Sequence, residues 1–134
     1  MNERMTLQPE GWPRPKGYSN GVAVSGRMVF VAGQIGWDER EKVVSDDFAA
    51  QFRQVLLNTL AVLKEAGAGA EHIVRMTWFV TSREEYAAAA ADLGRAWREL
   101  MGRNYPTMSV IIVSGLVEPD AKLEIETTAV LPEG

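Results

Sequence analysis

Glu124 and Glu126 alternate along a run of β-forming residues, so both project to the same side of a strand. On composition alone such a pair reads as solvent-facing strand charges. Other reactive groups are few. The chain has no cysteine and one histidine, His72. That excludes disulfides, thiolate chemistry, structural zinc and any Cys/His or multi-His site within one chain. Chemistry must therefore come from carboxylates, hydroxyls, Lys and Arg, backbone groups and water, with no cofactor implied. Tyr18 either places its hydroxyl in a cleft or closes the edge of a core. The backbone around Gly33 is open to a ligand because no side chain blocks approach, although a strand-ending bulge uses glycine equally well. Trp37, which follows Gly36 in a loop, and Trp78 read as core or interface residues or as ligand platforms. Lys16, Arg75 and Arg103 read as solvated cations before they read as holders of an anion, and His72, at the start of a strand, as a surface residue.

The elements that must position these groups follow from hydrophobic period. The first 17 residues hold Pro9, Pro13, Pro15, Gly11 and Gly17 and no period. They read as an extended arm, with Trp12 pinning it to its own core or to a neighbour. Two β-rich runs, Val22–Ser25 and Met28–Gln34, flank Gly26-Arg27 and predict a hairpin. From Asp46 the period turns helical through Phe48, Phe52, Val55, Leu56, Thr59, Leu60 and Leu63, with Ser45 as N-cap and Gly67 ending the helix. A strand at Ile73–Val80 leads to a capping box, Ser82 and Glu85, opening a second helix that runs to Gly102. Strands at Thr107–Val113 and Lys122–Leu131 follow, with Pro119-Asp120 turning between them.

The order is ββαβαββ, an α+β arrangement in a single domain spanning residues 1–134. Right-handed crossovers put both helices on one face of a single mixed sheet. Strands such as Met28–Ala32 and Val110–Val113 are apolar at consecutive positions, so both sheet faces want burial while two helices cover one. A second copy of the chain is the expected cover, with any cleft between subunits. The composition is that of a soluble globular protein, 46% hydrophobic and 24% charged, and 14 basic against 18 acidic residues give a net charge of −4. That sign disfavours nucleic acid as a partner. The N-terminal residues show no apolar targeting segment and no run is long enough to span a bilayer, so a cytoplasmic protein without a membrane partner is expected.

An ordered set of segments resembles the Rid (YjgF/YER057c/UK114) superfamily. The set is Gly17-Tyr18-Ser19, Val29–Ile35, the helix through Gln51 and Asn58 to Ala66-Gly67, Ile73-Val74, Tyr105-Pro106 and Leu123–Glu126. The resemblance implies a ferredoxin-like, chorismate-mutase-like subunit and a homotrimer with three intersubunit clefts. It also implies hydrolysis of reactive enamines or imines to a carbonyl compound and ammonia. It directs Glu124 and Tyr18 to catalysis, and Gly33, Ala32, Trp37, Met108, Ser109 and Val110 to substrate binding; Glu126 stays structural.

Met108 is the telling departure. It stands just after Pro106-Thr107, where the imine-hydrolysing members carry an arginine that holds the substrate carboxylate, and a thioether cannot form that pair. Ala32 replaces a frequent serine, Val110 a frequent cysteine, and an alanine near Ala90 an asparagine. The expectation is a hydrolase or deaminase shifted toward a neutral or more apolar substrate. A homotrimer that binds a small molecule without turnover is the alternative, and an endoribonuclease is a more distant one.

Overall fold

In the computed structural model, which describes residues 4–133, the elements run β1 (Met5–Leu7), β2 (Gly21–Ala23), β3 (Arg27–Ile35), α1 (Phe48–Glu65), β4 (Ile73–Val80), α2 (Arg83–Ala88), α3 (Ala90–Met101), β5 (Thr107–Ile112) and β6 (Leu123–Leu131). The main sheet has the strand order β3-β6-β4-β5, and β1 pairs with β2 in a separate two-stranded sheet. β6 is antiparallel to both its neighbours, while β4 and β5 are parallel. The sheet is thus mixed and the fold α+β, as the sequence implies. The crossovers from β3 to β4 and from β4 to β5 step across the sheet in the same direction. Right-handed connections therefore place α1 and α2–α3 on one face, and α1 packs against β3, β6 and α3.

α1 behaves as its period requires. Phe48, Phe52, Val55, Leu56, Thr59 and Leu63 are buried against the sheet, each apolar side chain contributing about 1.5–3 kcal/mol when fully covered. Its cap differs from the expectation. Asp47 is the N-cap and accepts the Ala50 N–H at 2.9 Å, while Ser45 Oγ accepts from Asp47 N one step earlier. Ser45 forms a preceding turn, which delays the helix to Phe48.

Three further expectations are corrected. The Gly26-Arg27 hairpin does not form, and β2 pairs with β1, Met5 opposite Ala23. Both two-residue hairpin turns need φ of about +60° at their first central residue, and Gly26 stands at 149°. The arm accordingly contributes a strand, although its first three residues lie outside the described ones. Trp12 is exposed and is not seated on this chain's core. The second helix is interrupted at Ala89, whose N–H is shared between the Glu85 and Tyr86 carbonyls. Ser82 Oγ caps it by accepting the Glu85 N–H, but the Glu85 carboxylate takes Lys122 Nζ at 2.5 Å instead of closing the box.

Opposite the helices the sheet is bare. Phe30 is 70% exposed there, Met28 is exposed along the same strand and Ile111 at the far edge, so the second face presents large apolar side chains with nothing over them. Among the described residues no helix is long and apolar enough to cross a membrane.

Candidate functional site

The central carboxylate is set by a β-bulge. Pairing between β3 and β6 shifts register between Val31 and Gln34, leaving Ala32 and Gly33 out of the ladder and exposed. β6 then places Glu124 opposite Ile35 on one side and Phe79 on the other. The Glu124 carboxylate lies over Gly33: a Cβ there would meet Oε2 at 2.2 Å. Only glycine permits this approach. The Glu124 carboxylate makes no ion pair or hydrogen bond among the described residues. Glu126, opposite Thr77, is exposed on the same bare face. There it lines a groove of about 480 Å³ with Phe30, Ala32, Arg75, Thr77 and Thr128.

The loop after β3 is held by two α1 side chains. Asn58 Nδ2 donates to the carbonyls of Ile35 and Trp37, at 3.1 and 2.8 Å. Gln51, fully buried, donates from Nε2 to Ser45 O at 2.8 Å and Asp120 O at 3.0 Å and accepts Lys122 N–H at 2.8 Å. One side chain thus ties the entry of α1 to the entry of β6, two residues before Glu124. Glu85 raises the pKa of Lys122 through their hydrogen bond, fixing the same junction. Trp37 is half-buried at the start of this loop and bridges to Val43.

The remaining candidates sit elsewhere. Ser19 N donates to Pro106 O at 3.0 Å and Ser19 Oγ donates to Tyr105 O, so exposed Tyr18 lies beside the start of β5. Met108, Ser109 and Val110 do not share one surface. Ser109 is exposed on the bare face, while Met108 and Val110 turn toward the helices and pack on the core. Met108 lines a cavity of about 330 Å³ between β5 and α3. β3 and β5 are opposite edges of the sheet, three strand spacings or about 14 Å apart. Glu124 is level with Phe79 and Ile111, three residues along from Met108. Within one chain the Gly33–Glu124 group and the Tyr18–Met108–Ser109 group stay apart.

Residues 13–131 match the family described as Endoribonuclease L-PSP. The chain belongs to this family, the YjgF/Rid family. Among its Rid relatives, the RutC family protein slr0709 of Synechocystis is 36% identical over 129 residues, covering 94% of this chain and 95% of the relative. The 2-iminobutanoate/2-iminopropanoate deaminase of Salmonella typhimurium is 35% identical over 126 residues, covering 93% and 96%. The solved structure of the Rid family protein YyfB from Yersinia pestis, described as of unknown function, superposes with a TM-score of 0.84 at 33% identity, covering 96% and 98%. The family read from the ordered segments is therefore correct.

Sequence reasoning missed part of this arrangement. Gln51 and Asn58 entered only as matching positions, yet they anchor the loop and β6 on either side of the candidate site. A polar residue at a helix position facing the core, as Gln51 does between Phe48 and Val55, is the signal that finds it. His72 is half-buried, not a free surface residue, and accepts the Gly69 N–H on Nδ1 at 3.0 Å. Trp78 is a core residue, stacked obliquely on Phe52 at 4.9 Å and edge-on to Tyr86 at 6.3 Å.

Proposed function

We propose that the chain is a cofactor-independent hydrolase of a small enamine, imine or related metabolite, working in the cytoplasm at clefts between copies of itself in a homotrimer. The observation that carries the reading is the Glu124 carboxylate held over the exposed, unpaired backbone of Gly33 without a protein counter-ion. A neighbouring copy, packing its β5 edge near this β3 edge, brings Tyr18 and Ser109 to the same place and covers the bare sheet face. Ala32 and Trp37 flank Gly33 in the cleft wall, and Met108 adjoins the β5 edge from its helix side, where Val110 packs on the core. A second copy overcomes the 14 Å separation without distorting either group.

An imine carbon beside Gly33 is open to water whose proton Glu124 accepts. As the water oxygen forms its bond to carbon, the C=N π pair moves to nitrogen, which is protonated. Glu124 returns its proton to the carbinolamine nitrogen, and as the C–N bond breaks the hydroxyl proton passes to the freed Glu124 carboxylate, so that a carbonyl is restored and ammonia leaves. One water is consumed and no electrons are transferred. An enamine enters by protonation at its carbon to give the imine. Tyr18 orients the water or the nitrogen by hydrogen bonding. Deaminase relatives at 35% identity support this chemistry, and Met108 turns it toward a neutral or more apolar substrate.

Binding without turnover is the second reading, favoured by Met108 itself, because loss of a substrate clamp in a retained fold is what a binder would show. An endoribonuclease is disfavoured by the net charge of −4 and the single histidine. The test is ammonia release from imines generated in place by an amino-acid oxidase, with semicarbazide trapping unreacted imine. Glu124→Ala is expected to lower turnover about 10²–10⁴-fold in an assembled trimer. Undiminished ammonia release from that variant would remove Glu124 from catalysis, and failure to assemble would make its role structural.

A further inference from the structure

The cavity of about 330 Å³ beside Met108 is built differently from the groove on the bare face. Its walls are aromatic: Phe52, Trp78, Tyr86, Trp97 and Tyr105, with the Met108 thioether among them. Trp97 and Tyr105 stack nearly parallel at 6.3 Å, and Tyr86 stands edge-on to Trp78, so the walls brace one another and the space is preformed. Two cations, Lys16 and Arg98, line the same cavity and are exposed, which places them at its solvent side. Neither side chain forms an ion pair or hydrogen bond among the described residues. Arg98 is folded back over its own helix: a Cβ on Gly94 would lie 3.2 Å from its Nη1. Ala90 and Gly94, both small, leave the α3 side of the cavity open.

An aromatic pocket with unpaired cations at its mouth fits an anion that carries an apolar ring. A cavity of about 150 Å³ holds benzene, so this one has room for a ring and a short acid chain. We propose that the cavity binds the aromatic side chain of a carboxylate substrate, with Arg98 and Lys16 receiving the carboxylate. This inference rests on the reading of Met108 as part of the cleft and gives its substrate a class: imines of aromatic amino acids. A methionine at 108 then forms wall for the ring, and the anion-binding role passes to cations on the arm and on α3.

The test uses the assembled protein and calorimetric titration with 3-phenylpropanoate, 3-phenylpropanamide and butanoate. The phenyl acid is expected to bind about 10–100-fold more tightly than butanoate, the worth of burying a ring. It is expected to exceed the amide about tenfold through its charge-assisted hydrogen bonds. Arg98→Gln with Lys16→Gln should erase the difference between acid and amide. Ala90→Phe, which fills the cavity from an exposed helix position, should abolish binding of both while leaving the thermal midpoint in place. Equal binding of butanoate and the phenyl acid, no heat at millimolar concentration, or indifference to Ala90→Phe overturns the proposal. The same preparations are assayed with imines made from phenylalanine and from alanine. Hydrolysis of the alanine-derived imine without binding of the phenyl acid leaves the deaminase reading standing and this inference refuted. Binding as expected without hydrolysis of either imine keeps the site for an aromatic acid and refutes turnover, and with it the assignment of an imine as the ligand.

Discussion

Gly33 and Gly36, three positions apart, carry opposite expectations when each is replaced by alanine. At Gly33 the new methyl would stand 2.2 Å from Oε2 and 2.8 Å from Cδ of Glu124, the far end of a flexible side chain. At Gly36 it would stand 2.6 Å from Cβ, 2.7 Å from Cα and 2.9 Å from the carbonyl oxygen of Gln51, in the body of α1. A carboxylate can swing away, whereas a helix backbone cannot. Gly36→Ala therefore overpacks the core and is expected to cost about 1–3 kcal/mol, a loss of about 4–12 °C in thermal midpoint for a chain of this size. Gly33→Ala should change the midpoint by less than about 3 °C. Restoring ordinary contact at Gly33 requires the Glu124 carboxylate to move by more than about 1 Å, a displacement that costs about a hundredfold in rate when the group takes part in the chemistry. The assay pairs calorimetric unfolding with the semicarbazide-competition rate, and sedimentation confirms that assembly is intact. Equal stability losses in the two variants would refute the distinction drawn between them. Wild-type turnover in Gly33→Ala would refute the role given to Glu124's position.

Gln51→Leu removes three hydrogen bonds and strands the Lys122 N–H in a dry junction. It is expected to cost about 2–4 kcal/mol in denaturant unfolding, with the loss unrelated to any ligand. Thr127 is 3% exposed and its hydroxyl has no partner, so Thr127→Val is expected to stabilise the protein by about 1 kcal/mol; a lower midpoint would show that the hydroxyl is satisfied. Arg53 donates to both Glu99 oxygens, at 2.6 and 3.1 Å, and through that hydrogen bond and its charge holds the Glu99 carboxyl below its ordinary pKa. A lowered folded pKa means stability present above the unfolded value of about 4.3 and lost as pH falls through the folded one. The midpoint difference between wild type and Glu99→Gln should accordingly close below about pH 4, as followed by thermal melts across that range.

Much of the architecture is written locally. The three- and four-residue spacing from Phe48 to Leu63 specifies α1 and its buried face, because one turn of helix repeats at that period whatever lies around it. The alternation from Leu123 to Glu126 at the head of β6 sets Glu124 and Glu126 on one face for the same reason. The ordered segments from Gly17 to Glu126 suffice to identify the family. The partner of β2 is not local information. Three residues, Gly21–Ala23, carry no period that distinguishes Met5–Leu7 from β3 as a neighbour, and turn chemistry at Gly26-Arg27 pointed to the nearer one.

The site divides in the same way. The types of its residues, a carboxylate, a tyrosine, an open glycine and a methionine where a cation is common, stand in the sequence as printed. Their distribution does not. The strand order β3-β6-β4-β5 sends Gly33 and Met108 to opposite edges, and the alternation of β5 turns Met108 into an aromatic cavity while Ser109 faces the bare side. Arg98 and Lys16 become neighbours of that cavity only when α3 and the arm are packed over β5. Helical and strand periods are set by backbone geometry within a few residues. Which edge meets which cavity is set by contacts between residues far apart in the chain, and only the folded structure brings those together.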